Sequence, residues 1–166
     1  SGQDMITLPH GSCLSVSRGR VAMSRTPCGA DALDILARLD QIAVALSWLE
    51  QLAERDGWPS RVTFGLTLSA DEALTNIVTH AFGAEGSADR RLHLSCSSLS
   101  DRIVLRIEDD GLAFDPTTAV PDAVAESVEE AGVGGHGLRL MQHYLQALDY
   151  TREQDKNVLT LVASRT

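Results

Sequence analysis

The chain has 166 residues, 43% of them hydrophobic, 22% charged and only 4% aromatic, with a net charge of −9. That is enough for one globular domain with an aliphatic core, and the sign of the charge argues against nonspecific nucleic-acid binding while suiting a basic protein partner. The longest apolar run, IAVALSWL at residues 42–49, is too short to span a membrane, and no charged-then-apolar signal segment opens the sequence.

Residues 1–30 are rich in Gly, Ser, Pro and Arg without sustained periodicity. They read as an appendage, partly disordered, with a short strand at 5–8. The domain proper is expected over 31–166. A strand at about 33–39 leads into an amphipathic helix capped by Asp40, with Ile42, Leu46, Leu49 and Leu52 on its apolar face and Gly57 after its end. Ser60 caps a second helix that stops before Gly83. RLHLSCSSLSDRIVLRIEDDG alternates with period two around a polar turn and predicts a hairpin. Some twenty-five residues with two prolines follow. Residues 101–130, which overlap them, carry nine acids against two arginines. A connection this long is uncommon unless it is functional or disordered. A helix at about 137–147 and a hairpin, DYTREQ–DKN–VLTLVAS, complete the chain. Helices that cluster between hairpins, rather than alternate with strands, imply an α+β sandwich with one sheet face covered. Cys13, Cys28 and Cys96 are odd in number and lack CxxC spacing, which fits free thiols in a reducing cytoplasm better than disulfides or a zinc site.

Three features could carry chemistry. In ADEALTNIVTHAF, Glu72, Asn76 and His80 stand one turn apart beside an apolar face. A surface acid and a loop-bonding amide are the ordinary explanation. Glu and Asn at i and i+4 also supply what a magnesium–nucleotide site needs: a carboxylate to accept a hydroxyl proton and an uncharged oxygen ligand. His80 reads as a packed or capping histidine. EDDG at 108–111 looks like a β-turn, but that requires a strand directly after Gly111, and LAFDPTTAVPD loses the alternation. An EF-hand fails as well, since Val120 stands at the twelfth position from Asp109. GVGGHG at 132–137 opens a helix and is either a hinge or a phosphate cradle. It is neither a Walker A loop nor a Rossmann fingerprint.

In this order and at this spacing the three resemble the boxes of the GHKL ATPase superfamily: EALTN the N box, DDGLAFDP the G1 box, GGHGLRLM the G2 box. The resemblance covers about residues 33–164 and implies the Bergerat fold, a two-layer sandwich whose mostly antiparallel, mixed sheet is covered on one face by helices. Within the superfamily the chain is most similar to the anti-sigma-factor serine/threonine kinases, through ExxxNxxxHAF and FDP. On that resemblance ATP or ADP binds with Mg²⁺. Asp109 accepts a hydrogen bond from the adenine amino group, Gly111 lets the base approach the backbone, and Thr160 helps hold the adenine through water. Asn76 ligates Mg²⁺, Gly134, Gly135 and Gly137 hold the phosphates, residues 112–133 close as a lid, and Glu72 is the base. His136 departs from the pattern and either contacts a phosphate or crowds the turn. The implied partners are a STAS-domain anti-anti-sigma protein as substrate and a sigma factor, with the kinase a cytoplasmic homodimer. A non-catalytic nucleotide-binding module and a detached histidine-kinase-type domain are the competing readings.

Overall fold

The computed structural model describes residues 4–7, 12–17, 20–27, 29–83, 86–118 and 134–166. Three strands come first: β1 (Asp4–Thr7), β2 (Ser12–Ser17) and β3 (Arg20–Pro27), paired antiparallel in that order as their own sheet. One short strand was expected here. The signal for three lies in the turn-type residues Pro9, Gly11 and Gly19, which separate the strands along the sequence.

The main sheet starts with β4 (Asp31–Leu36). A 3-10 turn at Leu39–Gln41 then leads into α1 (Ile42–Asp56). Asp40 does not cap α1. It lies in that turn, where Arg38 grips it with two hydrogen bonds of 3.0 and 2.8 Å. Gly57, at φ 62°, closes α1 as expected, its N–H bonded to the Ala53 carbonyl. The second helix, α2 (Ser60–Ala81), begins at its expected cap, one residue early. Pro59 is the N-cap, its carbonyl accepting from the Val62 and Thr63 N–H groups, and Ser60 is already helical. The expected hairpin is β5 (Arg91–Ser98) with β6 (Arg102–Asp109). After it come α3 (Gly134–Tyr144), three residues earlier than expected at each end, and the hairpin β7 (Ala147–Glu153) with β8 (Lys156–Ser164).

The five strands lie in the order β4-β5-β6-β8-β7. A mostly antiparallel sheet with some mixed pairing was expected, and every pairing is antiparallel. The pair α1–α2 explains this at the β4 edge. Two helices carry the chain out and back, so β5 starts at the end of the sheet where β4 stopped. Alternation fixes the two faces. Ile35, Leu92, Leu94, Ile103, Leu105, Ile107, Leu159 and Leu161 point inward and are almost fully buried, in one core with Leu49, Leu66, Leu74 and Val78 from the helices. Each such side chain contributes about 1.5–3 kcal/mol of burial free energy. The outer face carries Asp34, His93 and Glu108, with His93 Nδ1 2.7 Å from Asp34 Oδ1. Cys96 is a free thiol in the core, and burial pushes its pKa up to about 12, so it is inert. Among the described residues no helix is long and apolar enough to cross a membrane.

Candidate active site

Helix α2 carries one half of the site. Its buried stripe (Leu66, Ala70, Ala73, Ile77, Ala81) faces the core, and Glu72 and Asn76 lie half-buried at its edge. Asn76 Nδ2 donates to Glu72 Oε1 at 3.2 Å. An ionised carboxylate can only accept, so the amide nitrogen faces it and Asn76 Oδ1 is turned away, free to serve as a hard oxygen ligand. The residue thus fits the role of a Mg²⁺ ligand when phosphates and waters complete the shell.

Helix α3 packs against this edge. A Cβ on Gly137 would overlap the Glu72 carboxyl group, and a Cβ on Gly65 would come within 2.7 Å of the Tyr144 ring. Residues 65 and 72 are seven apart on α2, and so are 144 and 137 on α3, in reverse order. The two helices therefore run antiparallel over two turns, each contact possible only because one partner is glycine. Gly134 and Gly135 belong to the first turn of α3. The side chain of His136 lies outside the described residues, as do residues 119–133, most of the expected lid.

The other half of the site comes from β6. Its three consecutive acids separate. Glu108 points to the outer face and pairs with Arg106 at 2.7 Å, while Asp110 is held on the surface by Arg90 at 3.0 Å. Asp109 points inward and is 4% exposed. Its Oδ1 accepts from the Gly111 N–H and from Asn157 Nδ2, both at 2.9 Å. Oδ2 accepts none of the bonds within the described residues, and it is not among the atoms sealed from solvent without a partner. Burial raises the Asp109 pKa above the usual carboxylate range, against the lowering effect of the Asn157 and Gly111 bonds.

Residues 112–118 form no strand, so EDDG is not a hairpin turn. Instead the Leu112 N–H bonds the Ala81 carbonyl at 3.0 Å, and a Cβ on Gly111 would sit 2.8 Å from both Ala81 Cβ and that carbonyl. Gly111 therefore lets the chain close onto the end of α2. Phe114 of the FDP stretch stacks on His80, with centroids 4.7 Å apart and planes at 21°. That contact gives His80 its packing role.

Thr160 does not stand beside Asp109. In the β6–β8 register Asp109 is opposite Asn157 and Arg106 is opposite Thr160. Asn157 and Thr160 are three positions apart, an odd offset, so their side chains point to opposite faces. The residue that reaches Asp109 from β8 is Asn157, buried at 4% exposure and missing from the sequence reading. Tyr150 and Arg152 of β7 bond its Oδ1 at 2.6 and 2.8 Å, and its Nδ2 also reaches the Leu112 carbonyl at 2.9 Å.

Two anchors are thus strung along α2: Gly111 against Ala81 at one end and Gly137 against Glu72 at the other, about 14 Å apart at 1.5 Å per residue. That is the order of length of a nucleoside triphosphate. A cleft of about 490 Å³ on the outer sheet face, lined by Arg91, His93, Glu108 and Lys156 among others, reaches Asp109 but touches neither Glu72 nor Asn76.

Residues 35–163 match the family of histidine kinase-like ATPase domains. The serine/threonine-protein kinase BtrW of Bordetella bronchiseptica is 44% identical over 133 residues, which cover 80% of this chain and 92% of the relative. The serine-protein kinase RsbW of Listeria innocua is 29% identical over 114 residues, 66% of this chain and 71% of the relative. The histidine kinase domain of the blue-light activated histidine kinase EL346 of Erythrobacter litoralis aligns at 22% identity and a TM-score of 0.47, over 76% of this chain and 60% of that one.

Proposed function

This chain is a member of the histidine kinase-like ATPase domain family, on its serine/threonine protein kinase branch, and we propose that it phosphorylates a STAS-domain anti-anti-sigma protein and alternately sequesters a sigma factor. Binding of both in turn makes it a partner switch. We place it in the cytoplasm as a homodimer. The observation that carries the reading is the order of groups along α2: an inward acceptor at Asp109, an amide oxygen at Asn76, and a carboxylate at Glu72 against the start of α3.

In this reading Asp109 Oδ2 accepts the hydrogen bond of the adenine amino group and thereby orients the base. Gly134, Gly135 and Gly137 offer backbone N–H groups to phosphates at a helix N-terminus. Asn76 Oδ1 would hold Mg²⁺. ATP supplies the phosphoryl group, and Mg²⁺ neutralises the charge that develops on it. Glu72 accepts the proton of the substrate serine or threonine hydroxyl as its oxygen bonds phosphorus and the phosphoanhydride bond to ADP breaks. Positioning is most of the work.

The test is phosphotransfer from γ-labelled ATP with Mg²⁺ to a STAS-domain protein of the same organism. We expect an acid-stable phosphoprotein, and a rate reduced by about 10²–10⁴-fold in Glu72→Gln with complex formation intact. An acid-labile product would point to histidine and overturn the serine kinase reading, and a Glu72→Gln variant at full rate would remove the base assignment.

A further inference from the structure

We propose that the aromatic pair Phe64 and Tyr144, at the end of the α2–α3 groove away from the nucleotide, docks the phosphoacceptor protein, which seats an exposed apolar side chain there about 10–12 Å from its reacting hydroxyl. The inference rests on Glu72 being the base of a protein kinase and adds the surface that delivers the substrate.

Direction comes from the transfer itself. In phosphoryl transfer the attacking and leaving oxygens lie roughly in line with phosphorus. In the proposed function the leaving group, ADP, extends from Glu72 toward Asp109 and Gly111, at the C-terminal end of α2. The hydroxyl therefore arrives from the opposite side, over the N-terminal half of α2. Whatever carries it must cover the groove in that direction.

The surface there is apolar and open. Phe64 is 56% exposed, more than any other large hydrophobic side chain on the described helices. Its ring meets Tyr144 edge-on, with centroids 5.7 Å apart and planes at 76°, and Tyr144 meets His143 at 4.9 Å. Gly65 backs the pair, since without a Cβ it lets the Tyr144 ring lie directly on α2. The register of 65 with 144 and of 72 with 137 puts half-buried Leu68 and Leu140 between this pair and Glu72. An apolar strip thus leads from Phe64 to the carboxylate, eight residues or about 12 Å along α2.

Size agrees with direction. A stable interface covers about 800 Å² of each partner, a disc of about 16 Å radius. Placed over Glu72, or displaced from it away from the nucleotide, such a disc includes Phe64. Rigid exposed aromatics are also the residues that carry most of the binding energy in interfaces. A second copy of this chain seated on the same pair would cover the approach to Glu72 and shut the substrate out.

The experiment is steady-state phosphotransfer from Mg-ATP to the STAS-domain protein by the full chain, with Phe64→Asp and Phe64→Leu. Mg-ATP titration and sedimentation velocity of each variant accompany it. Phe64→Asp should raise KM for the protein substrate at least about tenfold. Its kcat at saturating substrate and its Mg-ATP affinity should stay within about twofold of wild type. Phe64→Leu, still apolar, should bring KM back to within about threefold of wild type. An unchanged KM in Phe64→Asp would overturn the docking surface and spare the kinase reading. If self-association fell as well, the pair would belong to a second copy. A fall in kcat or Mg-ATP affinity without a rise in KM would mark a merely structural role and overturn it too. No transfer by wild type would overturn both readings.

Discussion

The two ends of the site are built in opposite ways. At the proposed base end Asp109 is fixed by the Gly111 N–H and Asn157, Asn157 by Tyr150 and Arg152, and the following segment by the Ala81 carbonyl. Nearly every polar atom there has its partner, the condition under which a buried network is rigid. At the phosphate end Glu72 and Asn76 share one bond of 3.2 Å and lean on a helix whose first turn is mostly glycine. Recognition of a flat, unchanging base is served by a preformed acceptor. The transfer step needs groups that can regroup around Mg²⁺, phosphates and an incoming hydroxyl. On the proposed function, order lies where the ligand is constant and latitude where it reacts.

Two glycine substitutions would break or sharpen this contrast. In Gly137→Ala the new methyl overlaps the Glu72 carboxyl group, so either the base or the start of α3 must move. Turnover should fall about 100-fold, the usual cost of a misplaced catalytic group, with a smaller loss in ATP affinity. In Gly111→Ala the methyl meets Ala81 Cβ and its carbonyl at 2.8 Å and tilts the segment that holds Asp109. Here ATP affinity should fall about tenfold, and the rate of the bound complex should hold. Steady-state kinetics with saturating partner separates the two. The contrast fails if Gly111→Ala lowers turnover while Gly137→Ala changes affinity alone.

A smaller effect concerns acid and base. Burial raises the Asp109 pKa, so between the unfolded value and the raised one the folded chain keeps a proton that the unfolded chain has released. Stability from this group is therefore present at low pH and lost as pH rises through the folded value. Asp31 and Asp56 act in the opposite sense. Hydrogen bonds from Arg55 lower both, and what they contribute is lost as pH falls. Asp109→Asn removes only the first effect and keeps an acceptor for Asn157. Its urea midpoint relative to wild type should therefore rise between about pH 4 and pH 7. A constant difference across that range would contradict the buried, ionised Asp109.

Much of this was legible from local pattern. The i, i+4 stripe placed Glu72 and Asn76 on one edge of α2, and the loss of alternation after Gly111 marked Asp109 as something other than a turn residue. What was missed depends on register. Thr160 is implied by the family resemblance, whereas the face is set by parity. Leu159, Leu161 and Ala163 point inward, so Asn157 does too, and an asparagine on that row was the available signal for a buried polar group. Tyr150 and Arg152 become relevant only once β7 is known to lie beside β8. The start of α3 was placed late because glycines are poor helix formers, and tertiary contact with α2 overrides that preference. Nothing in the local pattern marks Gly65, since its role comes from Tyr144 packing against it.

The most direct test of a two-ended site is calorimetric titration of Mg-ATP into wild type, Asp109→Asn and Glu72→Gln side by side. The account predicts saturable binding by wild type, a loss of at least about 100-fold in Asp109→Asn, and binding within about threefold of wild type in Glu72→Gln. Undiminished binding by Asp109→Asn, or its loss in Glu72→Gln alone, would contradict the division of the site into a base end and a catalytic end.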